Sequence, residues 1–366
     1  MSSNSQVLMT AFNQWANRPA DESFNSLQEL HDAVSAQWAA SAEADVDLRK
    51  IHIESNGARP VLVGEKGTPV EFTHHSFQQF ARRVGAPASY LRELPAELVS
   101  ANLNHGIAAL PQGVATNDQT LLLRTDRGFQ LRSIVSDSYK RIVNSDITSR
   151  LIRLSNEQGW QPAPAAFDGK RGLYAGDRDM FAFLVDNDRR IFESLPGGGL
   201  SRGFFVSNSE IGNSRSFKLT MFLYEWICGN HRVVGAQNIT EISIPHIGGK
   251  AEAKALASIS IDLARYAHVG AAEQEAKIQK ARVTVLGSTK DEVLDTVFGF
   301  KVNGLSRELI GKGYDRAVER EERYGDPHTA WALTGGLTEV ATEIPYADER
   351  NIVDRAAGKV LERVTL

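Results

Sequence analysis

Cysteine is almost absent from this chain: Cys228 stands alone among 366 residues. One thiol cannot build an internal disulfide framework, and such sparing use suits a reducing compartment. Long apolar runs are absent too. None approaches the roughly 20 residues that cross a bilayer. The opening residues, Met1-Ser2-Ser3-Asn4-Ser5-Gln6, lack the basic-then-apolar order of a secretory signal. A cytoplasmic protein without membrane contact is the expectation. The glycines of Gly197-Gly198-Gly199 carry neither a following Lys-Ser/Thr nor a G-x-G-x-x-G frame, which argues against nucleotide hydrolysis and dinucleotide chemistry. Cys228-Gly229-Asn230-His231 has a metal-like spacing but no second thiolate, so a turn explains it better than zinc does. No metal or cofactor is expected.

What is present is ordinary in bulk and uneven in detail. Apolar residues make up 42% and charged residues 23% of the chain, which fits a folded protein rather than a disordered one. At about 100–200 residues per domain the length allows two or three domains. The formal charge of −4 gives no global reason to look for nucleic acid. Residues 1–119 hold 8 Lys/Arg against 13 Asp/Glu, whereas residues 110–250 hold 17 against 14. The stretch 120–153 concentrates seven cations against Asp126, Asp137 and Asp146. Phosphate binding depends on such local charge.

Periodicity divides the chain into an N-terminal helix and linker (1–48), an α+β core (49–250) and a helical region (251–366). Phe12, Trp15, Leu27, Leu30, Val34 and Trp38 follow helical spacing, and residues 35–48 read as an exposed connection. Short strands are expected at 51–53 and 61–63, followed by an acidic-polar turn. Thr73 then N-caps a helix, and Gly85 and Pro87 separate it from the next. The arrangement has a helix-turn-helix outline, but a DNA reader usually has a more basic second helix. Leu121–Arg124 and Phe129–Val135 flank Gly128 as a hairpin, with Phe129, Leu131, Ser133 and Val135 on one face and Gln130 and Arg132 on the other. A helix ending at Gly159 follows, then strands at 172–175, 180–186, 203–207 and 215–223. Phe217–Trp226 can be read as buried strand or helix. Gly311 and Gly313 read as a break before a charged, solvated segment, Arg316–Tyr324. The fold class is therefore α+β, with a central, mostly antiparallel, curved sheet packed by helices and a helical C-terminal third.

Two sets of residues could carry function. The densest polar cluster is Val206-Ser207-Asn208-Ser209-Glu210-Ile211-Gly212. It reads first as a tight loop, since Asn and Ser bond their own backbone and Gly212 admits a positive φ. No G-x-S-x-G elbow surrounds Ser207 or Ser209, so no catalytic residue is assigned. The second set is cationic with interleaved aromatics: Arg124, Arg127, Arg132, Tyr139, Lys140, Arg141, Lys170, Arg171, Arg202 and Arg215. Phosphates along a groove need such spread cations, and stacked bases need exposed rings. A solvated hairpin face explains the same residues without function. His74-His75 read as residues opening a helix. Asp177/Asp179 and Asp186/Asp188, with Arg178, Arg189 and Arg190 among them, read as ion-paired hairpin ends.

The run Arg132-Ser133-Ile134-Val135-Ser136-Asp137-Ser138-Tyr139-Lys140-Arg141-Ile142-Val143-Asn144 resembles a stretch of a phage- and plasmid-borne family (domain of unknown function, number 932). So do Gly203–Gly212, Cys228-Gly229-Asn230 and His328–Glu339, although that family more often has Asn where Gly335 stands. Residues 73–95 look like the family's opening segment, and the resemblance spans roughly 70–355. It implies a mobile-element setting and no activity. A fainter topological likeness runs to single-strand annealing proteins. There a hairpin precedes a helix closing on a Gly-Trp segment, as Asn156-Glu157-Gln158-Gly159-Trp160 does here, and a curved sheet lines a basic groove. Fold alone does not fix function.

The leading expectation is a single-stranded nucleic-acid binding protein of phage or plasmid DNA metabolism, in an annealing-type form a homo-oligomer. Two alternatives stand beside it. One is an enzyme with a polar pocket at 206–212, using Ser207, Asn208, Glu210 and His231. The other is an interaction protein that counters a host defence.

Overall fold

The computed structural model describes residues 16, 18–111, 118–163, 172–191, 199–225, 230–232, 241–268 and 271–365. Strand β1 (Glu22–Ser23) and helix α1 (Leu27–Ala39) open the fold, and Ser26 caps the helix by accepting from Glu29 N. Strands β2 (Ser41–Val46), β3 (His52–Ser55), β4 (Pro60–Val63) and β5 (Pro69–Phe72) precede helices α2 (His74–Arg83), α3 (Ala88–Leu91) and α4 (Ala96–Ala108). The hairpin β6 (Asp118–Thr125) and β7 (Gly128–Ser136) completes a six-stranded sheet, ordered β2-β6-β7-β5-β4-β3. Its described pairings are antiparallel except β5 beside β7.

Helix α5 (Asn144–Gln158) leads into the second sheet, formed by β8 (Trp160–Pro162), β9 (Leu173–Ala175), β10 (Met180–Ile191), β11 (Leu200–Asn208), β12 (Ser216–Glu225), β13 (Asn230–Arg232) and β14 (Glu241–Pro245) together with β1. It is antiparallel throughout its described pairings. Helices α6 (Ala251–His268), α7 (Ala271–Val283), α8 (Lys290–Gly299), α9 (Arg307–Glu319), α10 (Glu321–Tyr324), α11 (Ala330–Ala341) and α12 (Ala347–Thr365) follow. The α+β class and the helical C-terminal region are as the sequence indicates. The single curved sheet is replaced by two.

Each sheet has its own core. Leu131 and Ile134 of β7 pack with Phe77 and Phe80 of α2 and Val99 and Leu103 of α4. On the second sheet Phe204, Val206, Phe217 and Leu219 meet Leu30 of α1, Leu151 of α5 and Ile259 of α6. The alternate residues Phe205, Phe222 and Tyr224 join Phe181 and Phe183 in a separate aromatic cluster. Strand β12 is thus buried on both faces, so its apolar run has no period of two for sequence reading to find. Leu200 and Leu223 receive Ile278, Ala281, Trp331 and Leu361, which docks the C-terminal helices on this sheet.

Three local expectations differ from the structure. The exposed connection at 35–48 is the end of α1 followed by β2, whose pairing with β6 is decided by backbone bonds that side-chain polarity does not report. The polar turn after β4 contains β5. Gly311 and Gly313 lie inside α9 and break nothing. A Cβ on Gly313 would come within 2.7 Å of Leu337, and one on Gly336 would run into the Gly313 carbonyl. These two glycines let α9 and α11 approach closely.

The same substitution therefore has opposite effects at two positions. Gly336→Ala overpacks the α9–α11 contact and costs about 1–3 kcal/mol. Gly311→Ala, whose Cβ would meet only Leu294 at an ordinary 3.6 Å, gains about 0.5–1 kcal/mol from lower backbone entropy. Urea unfolding of both variants checks the pair of signs.

Candidate functional site

The two sheets meet at the polar loop after β11. Asn208, Ser209 and Glu210 are 1%, 0% and 2% exposed, so they line no open pocket. Glu210 Oε1 accepts from the backbone N–H of Asn144, and its Oε2 accepts from Arg132 Nη1 at 3.3 Å. Asn208 Nδ2 donates to Ile142 O and Asn144 Oδ1. Ser209 Oγ donates to Arg178 O, and Ser209 O accepts from the Tyr139 hydroxyl at 2.6 Å. Ile211 O accepts from His75 Nε2 and from Gln79 Nε2, while Gln79 Oε1 accepts from Ile134 N. Gly212 turns the chain at φ 77°. A carboxylate at the first turn of α5 meets orphan N–H groups and the positive end of the helix dipole. Glu210 acts as a cap supplied from 66 residues away in sequence.

Arg132 reaches this loop because of a β-bulge. Ser133 pairs Leu121 and Leu131 pairs Leu122, which leaves Arg132 as the extra residue of β7. A bulge resets the alternation of side chains. Leu131 and Ile134, three apart, consequently share one core, and Arg132 turns inward instead of standing beside Gln130. Burial pulls its pKa down while Glu210 holds it up.

A charged cluster adjoins the loop. Asp177, Arg178 and Asp179 form the β9–β10 turn. Arg18 sits among Asp21, Asp177 and Asp348 and lies over the Tyr346 ring. Arg178 Nη2 donates to His74 Nδ1, and Arg92 Nη2 donates to His74 O. Burial, with Arg92 and Arg178 close by, pushes His74 down to about 3. Burial and Arg178 push His75 down to about 4. Burial pushes the Asp179 carboxyl up to about 7 despite the Asn213 amide donating to it at 2.5 Å. The ion-paired turn expected at 177–179 is present, although the partners Arg18 and Asp348 are distant in sequence. Among the described residues no group of three or more His, Cys, Asp or Glu is placed to hold a metal ion.

The structure sorts the cationic set into three groups. Arg132 and Arg141 are enclosed and cannot lie against a phosphate: Arg141 pairs with Glu43 at 3.0 Å and donates to Ser133 Oγ. Tyr139 is half-buried, stacked on His246 with its hydroxyl inside, and burial raises its pKa. Arg202 is half-buried beside the Tyr266 ring. Arg124 and Arg127 are exposed at the β6–β7 tip, Arg124 over the Phe129 ring. Lys140 and Arg215 are exposed at the opposite end of β7. Lys170 and Arg171 lie outside the described residues, as do Cys228 and Gly229.

Lys140 and Arg215 are brought together by backbone. His246 N–H donates to Arg215 O, and Lys140 N–H donates to His246 O. The chain then enters α6 through exposed Lys250 and Lys254, which the sequence reading had not singled out. Their only signal was a pair of cations four apart where a helix begins. Exposed Arg153 of α5 borders α6 at Leu256 and Ala257. None of Lys140, Arg153, Arg215, Lys250 and Lys254 makes an ion pair with a described residue, whereas Arg18, Arg132 and Arg141 all do.

No family model matches the chain, and neither a curated protein nor a solved structure matches it. No described helix is long and apolar enough to cross a membrane.

Glu210→Gln leaves the Arg132 charge buried without its counter-ion and should cost about 3 kcal/mol or more. Adding Arg132→Met should recover part of that loss, so the double variant unfolds at higher urea than Glu210→Gln alone; additive losses would mean the two side chains are not coupled. A second expectation concerns pH. His74 and His75 stay neutral in the fold, so their protonation below about pH 6.5 favours the unfolded chain, and their contribution to stability is lost as pH falls toward 4 and 3. Asp179 has the opposite sign. The unfolded chain releases its proton near 3.8 and the fold only near 7, so its contribution falls as pH rises between those values. Asp179→Asn, which can still accept from Asn213, should therefore stabilise the protein by about 2–3 kcal/mol more at pH 8 than at pH 5. Chemical unfolding at the two pH values measures the difference.

Proposed function

We propose that this protein binds single-stranded nucleic acid through the cationic face formed by Lys140, Arg215, Lys250, Lys254 and Arg153. The observation that carries this reading is uncompensated charge: these five side chains have no described counter-ion, on a protein of net charge −4. Such a patch gathers phosphate by releasing counter-ions. Ile247, 61% exposed and bridged to Tyr139 through backbone, sits between Lys140 and Lys250. Apolar surface set among cations suits unstacked bases, which a duplex does not offer. Arg124 and Arg127 form a second, smaller cationic point. Strand β7 separates it from the first by nine residues, about 30 Å at the rise of a strand. The resemblance to a mobile-element family accords with this role. In an annealing-type form several copies would share one strand.

Arg132 and Arg141 belong to the fold and not to this face, where Lys250 and Lys254 stand in their place. Fluorescence anisotropy with a labelled oligothymidine at several salt concentrations tests the proposal. Wild type should bind more weakly as salt rises. Lys140→Ala/Arg215→Ala/Lys250→Ala should lose at least about tenfold in affinity and flatten the salt slope by about one for each phosphate contact removed. Arg124→Ala/Arg127→Ala should lose less. Equal affinity of the triple variant and wild type, or binding no tighter than that of an acidic control protein, would overturn the proposal.

A further inference from the structure

Four residues of α5, Asp146, Ser149, Arg150 and Arg153, recur at the spacing that places them on one helix face. With Leu256 and Ala257 of α6 they line a cleft of about 350 Å³. Its charge is arranged unusually. Asp146 lies one turn before Arg150, at the separation where helical ion pairs form. Arg150 instead gives Nε, at 2.8 Å, and Nη2 to the hydroxyl of Ser260. A neutral oxygen thus fixes the guanidinium plane and leaves its charge uncompensated. Arg153 has no described counter-ion. Two cations therefore converge on a cleft whose α6 wall is apolar, with a carboxylate and a hydroxyl at the other end of the same stripe.

We infer that this cleft seats a single nucleotide, with Arg150 and Arg153 on the phosphate, Leu256 and Ala257 against the base, and Asp146 and Ser149 at hydroxyl or amino groups of the sugar or base edge. The inference takes its substrate class from the nucleic-acid reading. Three features of the cleft narrow the ligand. Its volume lies at the small end of ligand pockets and exceeds what a lone phosphate needs. An apolar wall adds nothing to the binding of an inorganic anion and suits a base face. Asp146 repels a second anionic group, which disfavours dicarboxylates and acidic peptides. A ligand with one anionic end, a flat apolar middle and neutral hydrogen-bond donors is a nucleoside monophosphate, free or as a terminal or turned-out unit of a strand.

Isothermal titration of the full-length protein with adenosine 5′-monophosphate, adenosine and inorganic phosphate tests the assignment. Wild type should take the monophosphate at least about tenfold more tightly than either part alone. Arg153→Ala, at an exposed position, should weaken it about tenfold, since a charge-assisted hydrogen bond is lost. Ala257→Trp should fill the cleft and abolish binding, while circular dichroism confirms an unchanged melting temperature for both variants. Lys140→Ala/Arg215→Ala/Lys250→Ala should bind the monophosphate as wild type does. Inorganic phosphate binding as tightly as the monophosphate would overturn the inference. So would a monophosphate affinity that neither cleft variant changes. Oligonucleotide binding without monophosphate binding would overturn the cleft and leave the cationic face standing. Monophosphate binding without oligonucleotide binding would uphold the cleft and remove the face.

Discussion

One buried carboxylate, Glu210, holds together three parts of the fold that share no sequence neighbourhood. It takes a backbone N–H at the start of α5 and a guanidinium from the bulge of β7, while its own backbone lies in the turn that ends β11. Each partner answers a physical need. The first turn of α5 has N–H groups without intrahelical acceptors, and Val143 supplies no side-chain cap. Arg132, 7% exposed, needs a counter-ion to remain charged away from water. Asn208, Ser209 and Tyr139 complete the set of bonds around it, which leaves the loop closed and its orientation determined.

That closure redistributes the chemistry of the surface. The polar residues that looked most like a site are buried and bonded to the backbone and side chains that join the sheets. The cations divide in the same way. Arg18, Arg132 and Arg141 are themselves enclosed and paired with carboxylates, while Lys140, Arg153, Arg215, Lys250 and Lys254 face solvent without a described ion pair. Charge count along the sequence cannot separate the two groups. Burial can, because an enclosed guanidinium has already exchanged water for a fixed carboxylate and has nothing left for a phosphate.

The junction also links the loop to the charged β9–β10 turn. Ser209 and Asn213 reach Arg178 and Asp179, and Arg178 in turn reaches His74 at the start of α2. The titrating groups gathered there have opposite signs, with imidazoles held neutral and a carboxyl held protonated. Both follow from the same cause, desolvation, which disfavours whichever form is charged.

Much of the architecture could be read without coordinates where local rules decide. The Thr73 cap, the αL glycine that ends α5 at Gly159, the hairpin around Gly128 and the C-terminal helices all depend on residues within a few positions of each other. Sequence also marked 206–212 as special, correctly in place and without disclosing its use. What only the tertiary structure decided was everything that depends on the bulge at Arg132 and on burial. One extra residue in β7 turns a side chain from the expected outer face into the interior, and no spacing in the sequence announces it. The loop that stood out for its density of polar groups owes that density to its position. Buried between two sheets and a helix end, most of its donors and acceptors are paired, and those partners come from parts of the chain that only folding brings together.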